Sequence, residues 1–185
     1  MIVLFGPTGA GKSVQGQMMA VRHKWKWLST GELLRQSKDP ELQEFLKTGE
    51  LVSDEQTYKV FDEAISDAEK AGYPQIIVDG FPRTKEQADW LEKFDEERGQ
   101  KIDLVVVFEV PESEIMGRLS TRGRAEDTPD VIARRMTIYR QKMYPVLGYF
   151  AEKGIRIIHM NGTGTVGEVH DKLEAELEAC GLVTI

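Results

Sequence analysis

The sequence predicts an α/β fold built on a five-stranded parallel sheet, and three observations carry that expectation. Short, apolar, β-branched segments occur at Ile2 to Phe5, Ile76 to Val78 and Leu104 to Phe108, the composition of strands buried on both faces. Segments with apolar residues at helical spacing separate them, so strands and helices alternate, as right-handed crossovers around a parallel sheet require. A glycine-rich loop, Gly6-Pro7-Thr8-Gly9-Ala10-Gly11-Lys12-Ser13, follows the first strand directly and runs into a helical pattern.

Each element follows in order. Ser13 to Val21 is the helix after the loop, and Trp25 to Leu28 is the weakest strand candidate, its alternating tryptophans read as packing residues. Thr30 to Tyr58 interrupts the alternation with two short helical pieces, Gly31 to Gln36 and Pro40 to Leu46, before Gly49; this is a small helical insert. Asp54 to Lys70 carries Val60, Phe61, Ala64, Ile65 and Ala68 at helical spacing. Thr84 to Glu97 and Glu112 to Leu119 are helices on either side of the Leu104 strand. Thr121 to Pro129 is a polar hinge. Asp127-Thr128-Pro129-Asp130 is a helix start, with a capping side chain, an early proline and an acid in the first turn. Ile132, Met136, Tyr139, Met143, Leu147 and Phe150 then line one face of that helix. Ile155 to His159 is the last strand, and Thr165 to Ala179 the last helix.

The bulk properties bound the function. A chain of 185 residues suits one domain. Its net charge of −7 argues against sequence-independent binding to nucleic acid or an anionic membrane. One cysteine, Cys180, allows no internal disulfide. The apolar run Leu104 to Phe108 is too short to cross a bilayer, and no basic residue precedes the apolar start, so the expected location is the cytoplasm. The histidines His23, His159 and His170 show no metal-ligand spacing.

The loop fits the phosphate-binding pattern G-x-x-x-x-G-K-[ST]. Gly6, Gly9 and Gly11 permit close backbone approach, and the N–H groups of the loop and the helix start point at phosphate oxygens. Lys12 reaches the β- and γ-phosphates, and Ser13 is placed to ligate Mg²⁺. Asp79, just past a buried strand, can hold Mg²⁺ or its waters, and Arg83 lies four residues on. From Arg118 to Lys142 seven cations face three anions, in a chain that is acidic overall. Helix geometry turns Arg134 away from the apolar face, while Arg135, with Arg118, Arg122 and Arg124 before it, can reach a cleft. Arginine forks grip phosphate oxygens bidentately, and phosphoryl transfer needs chiefly alignment and charge neutralisation. A guanine-nucleotide switch is excluded, because its base-reading Asn-Lys-x-Asp has no counterpart: Asn161, followed by Gly162, is the only asparagine.

With these motifs in order, the sequence resembles the adenylate kinases of the short-lid kind over nearly its whole length. The resemblance rests on the phosphate loop, on Leu28-Ser29-Thr30-Gly31-Glu32-Leu33-Leu34-Arg35 with Gly49-Glu50-Leu51-Val52, on Asp79-Gly80-Phe81-Pro82-Arg83 with Gln87, and on the arginine series with Asp127 and the Tyr139 helix. It implies a three-layer phosphate-loop fold in a single domain, with a monophosphate-binding insert at about 29–58 and a short lid at about 121–129. It implies the reaction ATP + AMP ⇌ 2 ADP. Lys12, Arg122, Arg124 and Arg135 then neutralise the transferring group, with Arg83 on the AMP phosphate. ATP lies on Gly9, Ala10, Gly11, Lys12, Ser13 and Val14, with Arg118 stacked on its adenine and the turn Asn161 to Thr165, Gly164 included, touching the base. AMP lies on Thr30, Arg35, Gly80, Arg83, Gln87, Arg124 and Arg135, with Glu50, Leu51 and Val52 lining the base pocket. Asp79 organises Mg²⁺ largely through water.

The runner-up is a UMP/CMP kinase, disfavoured because Thr30 and Gln87 stand where that relative carries a small apolar residue and an Asn-rich stretch. A kinase with another acceptor, such as shikimate, would share the loop but not the insert. A nucleotide-sensing module without activity would be expected to lack Lys12 or the arginines. Two departures from the family pattern stand out. Ser13-Val14 replaces Gly-Thr after the loop lysine. Only Gly123 separates Arg122 from Arg124, so no lid domain and no zinc site fit, and a promiscuous donor site is expected.

Overall fold

The computed structural model describes residues 1–36, 52–124 and 127–184. Within them the chain runs β1 (Ile2–Phe5), α1 (Lys12–His23), β2 (Lys26–Ser29), α2 (Thr30–Gln36), α3 (Asp54–Lys70), β3 (Ile76–Asp79), α4 (Lys85–Glu97), β4 (Leu104–Glu109), α5 (Glu112–Arg122), α6 (Pro129–Glu152), β5 (Ile157–Asn161) and α7 (Val166–Ala179). The strands form one sheet in the order β2-β3-β1-β4-β5. Every pairing is parallel. The expected α/β fold with five parallel strands is therefore the observed one.

Alternation along the strands divides the core into two layers. Val3, Phe5, Val105 and Val107 face one way, into a cluster with Phe61 and Ile65 of α3, Leu91 and Phe94 of α4, and Val146 and Phe150 of α6. Ile2, Leu4, Leu104, Val106 and Phe108 face the other way, against Met19 of α1 and Val169, Leu173 and Leu177 of α7. A smaller cluster joins Ile115 and Leu119 of α5 to Ile132 and Met136 of α6. Trp27 packs edge-on to α1, and a Cβ at Gly16 would come within 2.5 Å of its ring. Trp27 of β2 and Trp25, just before it, both pack against this layer.

Helix starts follow their caps. The side chains of Ser53, Thr84, Thr128 and Thr165 each accept from a backbone N–H in the first turn of α3, α4, α6 and α7. The last strand begins later than the apolar pattern suggests. Gly154 takes a φ of 72°, and the Ile155 N–H donates to the Phe150 carbonyl at 3.0 Å, so Ile155 closes α6 rather than opening β5. The expected helical piece Pro40 to Leu46, together with Gly49, Glu50 and Leu51, lies outside the described residues.

This topology fixes the site. Both neighbours of β1 run parallel to it, and the chain crosses to opposite sides of β1 to make β3 and β4. The carboxyl end of β1 is therefore the switch point where such sheets hold ligands. The glycine loop leaves β1 there, and Asp79 ends β3 beside it.

Candidate functional site

The loop is held from beneath by α5. Gly9 has a φ of 82°, and a Cβ there would meet Leu119 at 3.0 Å, so the loop lies closer to that helix than any side chain permits. Lys12 is the first residue of α1 and folds back over the loop, its Nζ donating to the Gly6 and Pro7 carbonyls at 2.8 Å each. Burial holds its pKa below the ordinary lysine value; the Asp79 carboxylate opposes that shift, and Arg83 and Arg122 add to it. Ser13 Oγ donates to Asp79 Oδ2 at 2.5 Å. Val14 is 45% exposed and borders the same cavity.

The arginines reach this point from α5 and α6. Arg118 bridges the loop and the turn after β5: one terminal nitrogen donates to the Gly162 carbonyl at 2.8 Å, the other to Ala10 at 3.4 Å. Glu114, one turn back on α5, pairs with it at 2.5 Å. Arg122 grips Asp127 with both Nε and Nη2, the Nε bond being 2.6 Å. Arg135 stands 3.8 Å from the same carboxylate, whose side chain is only 2% exposed. Asp127 therefore gathers two of the candidate catalytic arginines into one cluster. Arg124, past the left-handed Gly123, lines the same cavity. Arg134 is exposed, and Arg140 pairs with Glu112 on the surface.

Across the cavity, Thr30 Oγ1 donates to the Gly80 carbonyl at 3.0 Å, and Arg83 Nε donates to that oxygen at 2.6 Å. Arg83 is exposed toward the cavity, yet loss of solvation by the groups crowded around it lowers its pKa from the ordinary arginine value, with Arg135 and Arg35 adding to the effect and Asp79 opposing it. Arg35 pairs with Glu32 at 3.0 Å. Gln87, buried at the start of α4, donates from Nε2 to Asp54 at 2.7 Å and accepts from the Arg83 N–H at 2.7 Å. Val52 is buried beside them, while Glu50 and Leu51 lie outside the described residues.

One cavity of about 520 Å³ brings the two groups together. Its wall includes Gly9 to Val14, Thr30, Arg35, Val52, Asp79, Gly80, Arg83, Gln87, Arg118, Arg122, Arg124, Arg135 and Gly164. Sequence reasoning gave no role to Lys142 or Ile138, which also line it. It likewise missed Gln15, fully buried on α1, whose Nε2 donates to the Val166 carbonyl at 2.9 Å and whose Oε1 faces His170 Nδ1 at 3.2 Å. A polar residue on the inner face of α1 was the available signal. Among the described residues no group of three or more His, Cys, Asp or Glu is arranged to hold a metal ion. Ser13 and Asp79 still supply hard oxygen ligands of the kind Mg²⁺ takes alongside water and phosphate.

Comparison with known proteins matches residues 4–155 to the family model described as adenylate kinase. An adenylate kinase of Mycobacteroides abscessus is 39% identical over 174 residues, covering 91% of this chain and 93% of its own. One from Maricaulis maris is 35% identical over 187 residues, covering 96% and 98%. The chain belongs to the adenylate kinase family. Membership spans the phosphate loop, the Asp79 to Gln87 segment and the arginine series alike, since the matched region contains all three. Both of these relatives carry the name adenylate kinase and not UMP/CMP kinase.

Proposed function

We propose that the protein transfers the γ-phosphoryl group of ATP to AMP, reversibly, as an adenylate kinase. The observation that carries this reading is the convergence of two phosphate-binding ends on one cavity: the glycine loop with Lys12 at one side, Arg83 with Arg35 at the other, and the Arg122–Arg135 cluster between them. A hydrolase needs only the first end.

On this reading the loop N–H groups and the α1 N-terminus hold the donor phosphates. Lys12 releases the Gly6 and Pro7 carbonyls and takes phosphate oxygens instead, an exchange favoured because burial already disfavours its isolated charge. Arg83 and Arg35 hold the acceptor phosphate, and Thr30 and Gln87 meet the acceptor base. Arg122, Arg124 and Arg135 spread their charge over the transferring group, which needs positioning and neutralisation more than covalent help. Asp127 sets the directions of Arg122 and Arg135 before substrate arrives. Adenylate kinases act with Mg²⁺; Ser13 and Asp79 would hold it here, partly through water, and it would neutralise charge on the phosphate oxygens. Arg118 and the turn at Gly164 face the donor base.

The segment 29–58 serves as the acceptor insert and 121–129 as the lid of a single domain. With so short a lid we place no zinc in the protein. Among the described residues no helix is long and apolar enough to cross a membrane, and the acidic chain suits small nucleotides rather than nucleic acid in the cytoplasm. Incubation with ADP and Mg²⁺ alone tests the reaction in reverse. Equal amounts of ATP and AMP are expected; unchanged ADP, or release of inorganic phosphate, would overturn the reading.

A further inference from the structure

We propose that Asp54 determines which purine is accepted, by fixing the orientation of the Gln87 carboxamide. The proposal rests on the reading that Gln87 faces the acceptor base.

Gln87 is 2% exposed and borders the cavity. Its backbone is set by the cap of α4, where the Gln87 N–H donates to Thr84 Oγ1 at 3.2 Å. Its side chain is then clamped from two sides. The Arg83 backbone N–H donates to Oε1 at 2.7 Å, and Nε2 donates to Asp54 Oδ1 at 2.7 Å. A backbone N–H can only donate and an ionised carboxylate can only accept. Both neighbours therefore demand the same orientation. Rotating the carboxamide by half a turn would break two hydrogen bonds, set NH₂ against N–H, and set an amide oxygen against a carboxylate.

What remains for a ligand is one N–H on Nε2 and one lone pair on Oε1. That pair complements a base with an exocyclic amine beside a ring-nitrogen acceptor, as in adenine. A 6-oxo purine presents a carbonyl oxygen at the position of the amine, opposite Oε1, so an amide locked this way meets acceptor with acceptor. An amide free to turn could serve either base. The lock, rather than the presence of glutamine, is what excludes the 6-oxo purine.

Asp54 is well placed for this. It is the first residue of α3, held by the Ser53 cap, and its carboxylate reaches across to α4 over 33 positions of sequence. It is exposed and touches no substrate in this reading, so it acts as a positioning residue through Gln87.

The test compares AMP with IMP, which differs from AMP only at the 6-position and the adjoining ring nitrogen. Steady-state kinetics with Mg²⁺, varying the acceptor at saturating ATP and ATP at saturating AMP, are measured for the wild type, Asp54→Ala, Asp54→Asn, Gln87→Leu and, as a control in the same helical turn, Glu55→Gln. Asp54→Ala is expected to lower the AMP-to-IMP ratio of kcat/KM at least tenfold, mainly by raising KM for AMP, with KM for ATP unchanged. Asp54→Asn keeps an acceptor oxygen and should fall between Ala and wild type; Glu55→Gln should match wild type. If Asp54→Ala leaves the ratio unchanged while Gln87→Leu collapses it, the base reading stands and the role of Asp54 is overturned. If Gln87→Leu also leaves it unchanged, Gln87 does not face the base, and both fall. Equal losses for AMP and IMP in Asp54→Ala would mark general damage to the pocket and equally overturn the proposal.

Discussion

The two halves of the cavity, proposed above to take donor and acceptor, are equipped differently. On the donor side the turn after β5 uses its own polar groups internally: Asn161 accepts from the Thr163 N–H at 2.9 Å, and Glu168 accepts from the Thr165 N–H at 2.8 Å. The Gly162 carbonyl accepts from Arg118, whose guanidinium is proposed to stack on the donor base. On the acceptor side a buried carboxamide is held in one orientation by two partners. Stacking tolerates any base, whereas an oriented donor–acceptor pair does not. On the proposed assignment, strict choice of acceptor and loose choice of donor can coexist in one cavity, because each half would read its base by different physics.

The largest effect expected is one that removes both halves together. Lys12→Met should lower kcat about 1,000-fold or more, whatever the donor or acceptor, because the lost charge serves the transferring group common to all of them. A loss that varied strongly with the base would break the division into halves. Arg83→Lys should lower kcat/KM for AMP about 100-fold through loss of the planar fork, with KM for ATP little changed. A donor panel sharpens the comparison directly: GTP, CTP and UTP should each support turnover within about tenfold of ATP, as expected where stacking dominates discrimination. Equal refusal of all three would sink the promiscuous donor site. Val14→Thr returns a hydroxyl to the donor side and should lower KM for ATP about 2–5-fold, the worth of one added hydrogen bond, leaving KM for AMP unchanged.

The smallest effect on turnover should come from Asp95, which lines neither half. Both its carboxyl oxygens are buried with no hydrogen-bond partner among the described residues, and burial pushes its pKa up from 3.8 to about 6, with Asp103 and Glu69 adding to the shift. A carboxyl whose folded pKa is raised binds its proton more tightly when folded. Its contribution to stability is therefore full below pH 3.8 and is lost as pH rises through about 6. Asp95→Asn should raise stability by about 1–3 kcal/mol at pH 7.5 and very little at pH 4, read by thermal melts, with kinetics unchanged.

Much of this molecule could be read from its residues, and the failures have physical causes. Strands buried on both faces declare themselves by composition, so β1, β3 and β4 were legible nearly to the residue. The start of α6 was legible because Asp127-Thr128-Pro129-Asp130 acts within one turn, whereas the caps Ser53, Thr84 and Thr165 emerge only in the structure. The start of β5 was misplaced by two residues because Ile155 is as apolar as the strand but is claimed by the closing turn of α6. Within the site, the glycine loop was legible because its chemistry is contiguous. Asp127 was visible as an acid among arginines, but its pairing with Arg122 of α5 and Arg135 of α6 is set by the packing of those helices. Asp54 carried no signal at all, since only the packing of α3 beside α4 brings it to Gln87. The folding back of Lys12 onto its own loop was equally hidden, because sequence shows where a lysine stands and not which carbonyls hold it.

The choice of acceptor decides what this enzyme does. Turnover of ATP with Mg²⁺ is measured with AMP, CMP, UMP and GMP in turn, and with no acceptor. We expect rapid ADP formation with AMP, at least 100-fold less with GMP and UMP, whose oxo groups oppose the oriented amide, less also with CMP, whose amine matches but whose single ring is shorter than a purine, and none without an acceptor. Preference for CMP or UMP, or ADP released equally with no acceptor present, would contradict it.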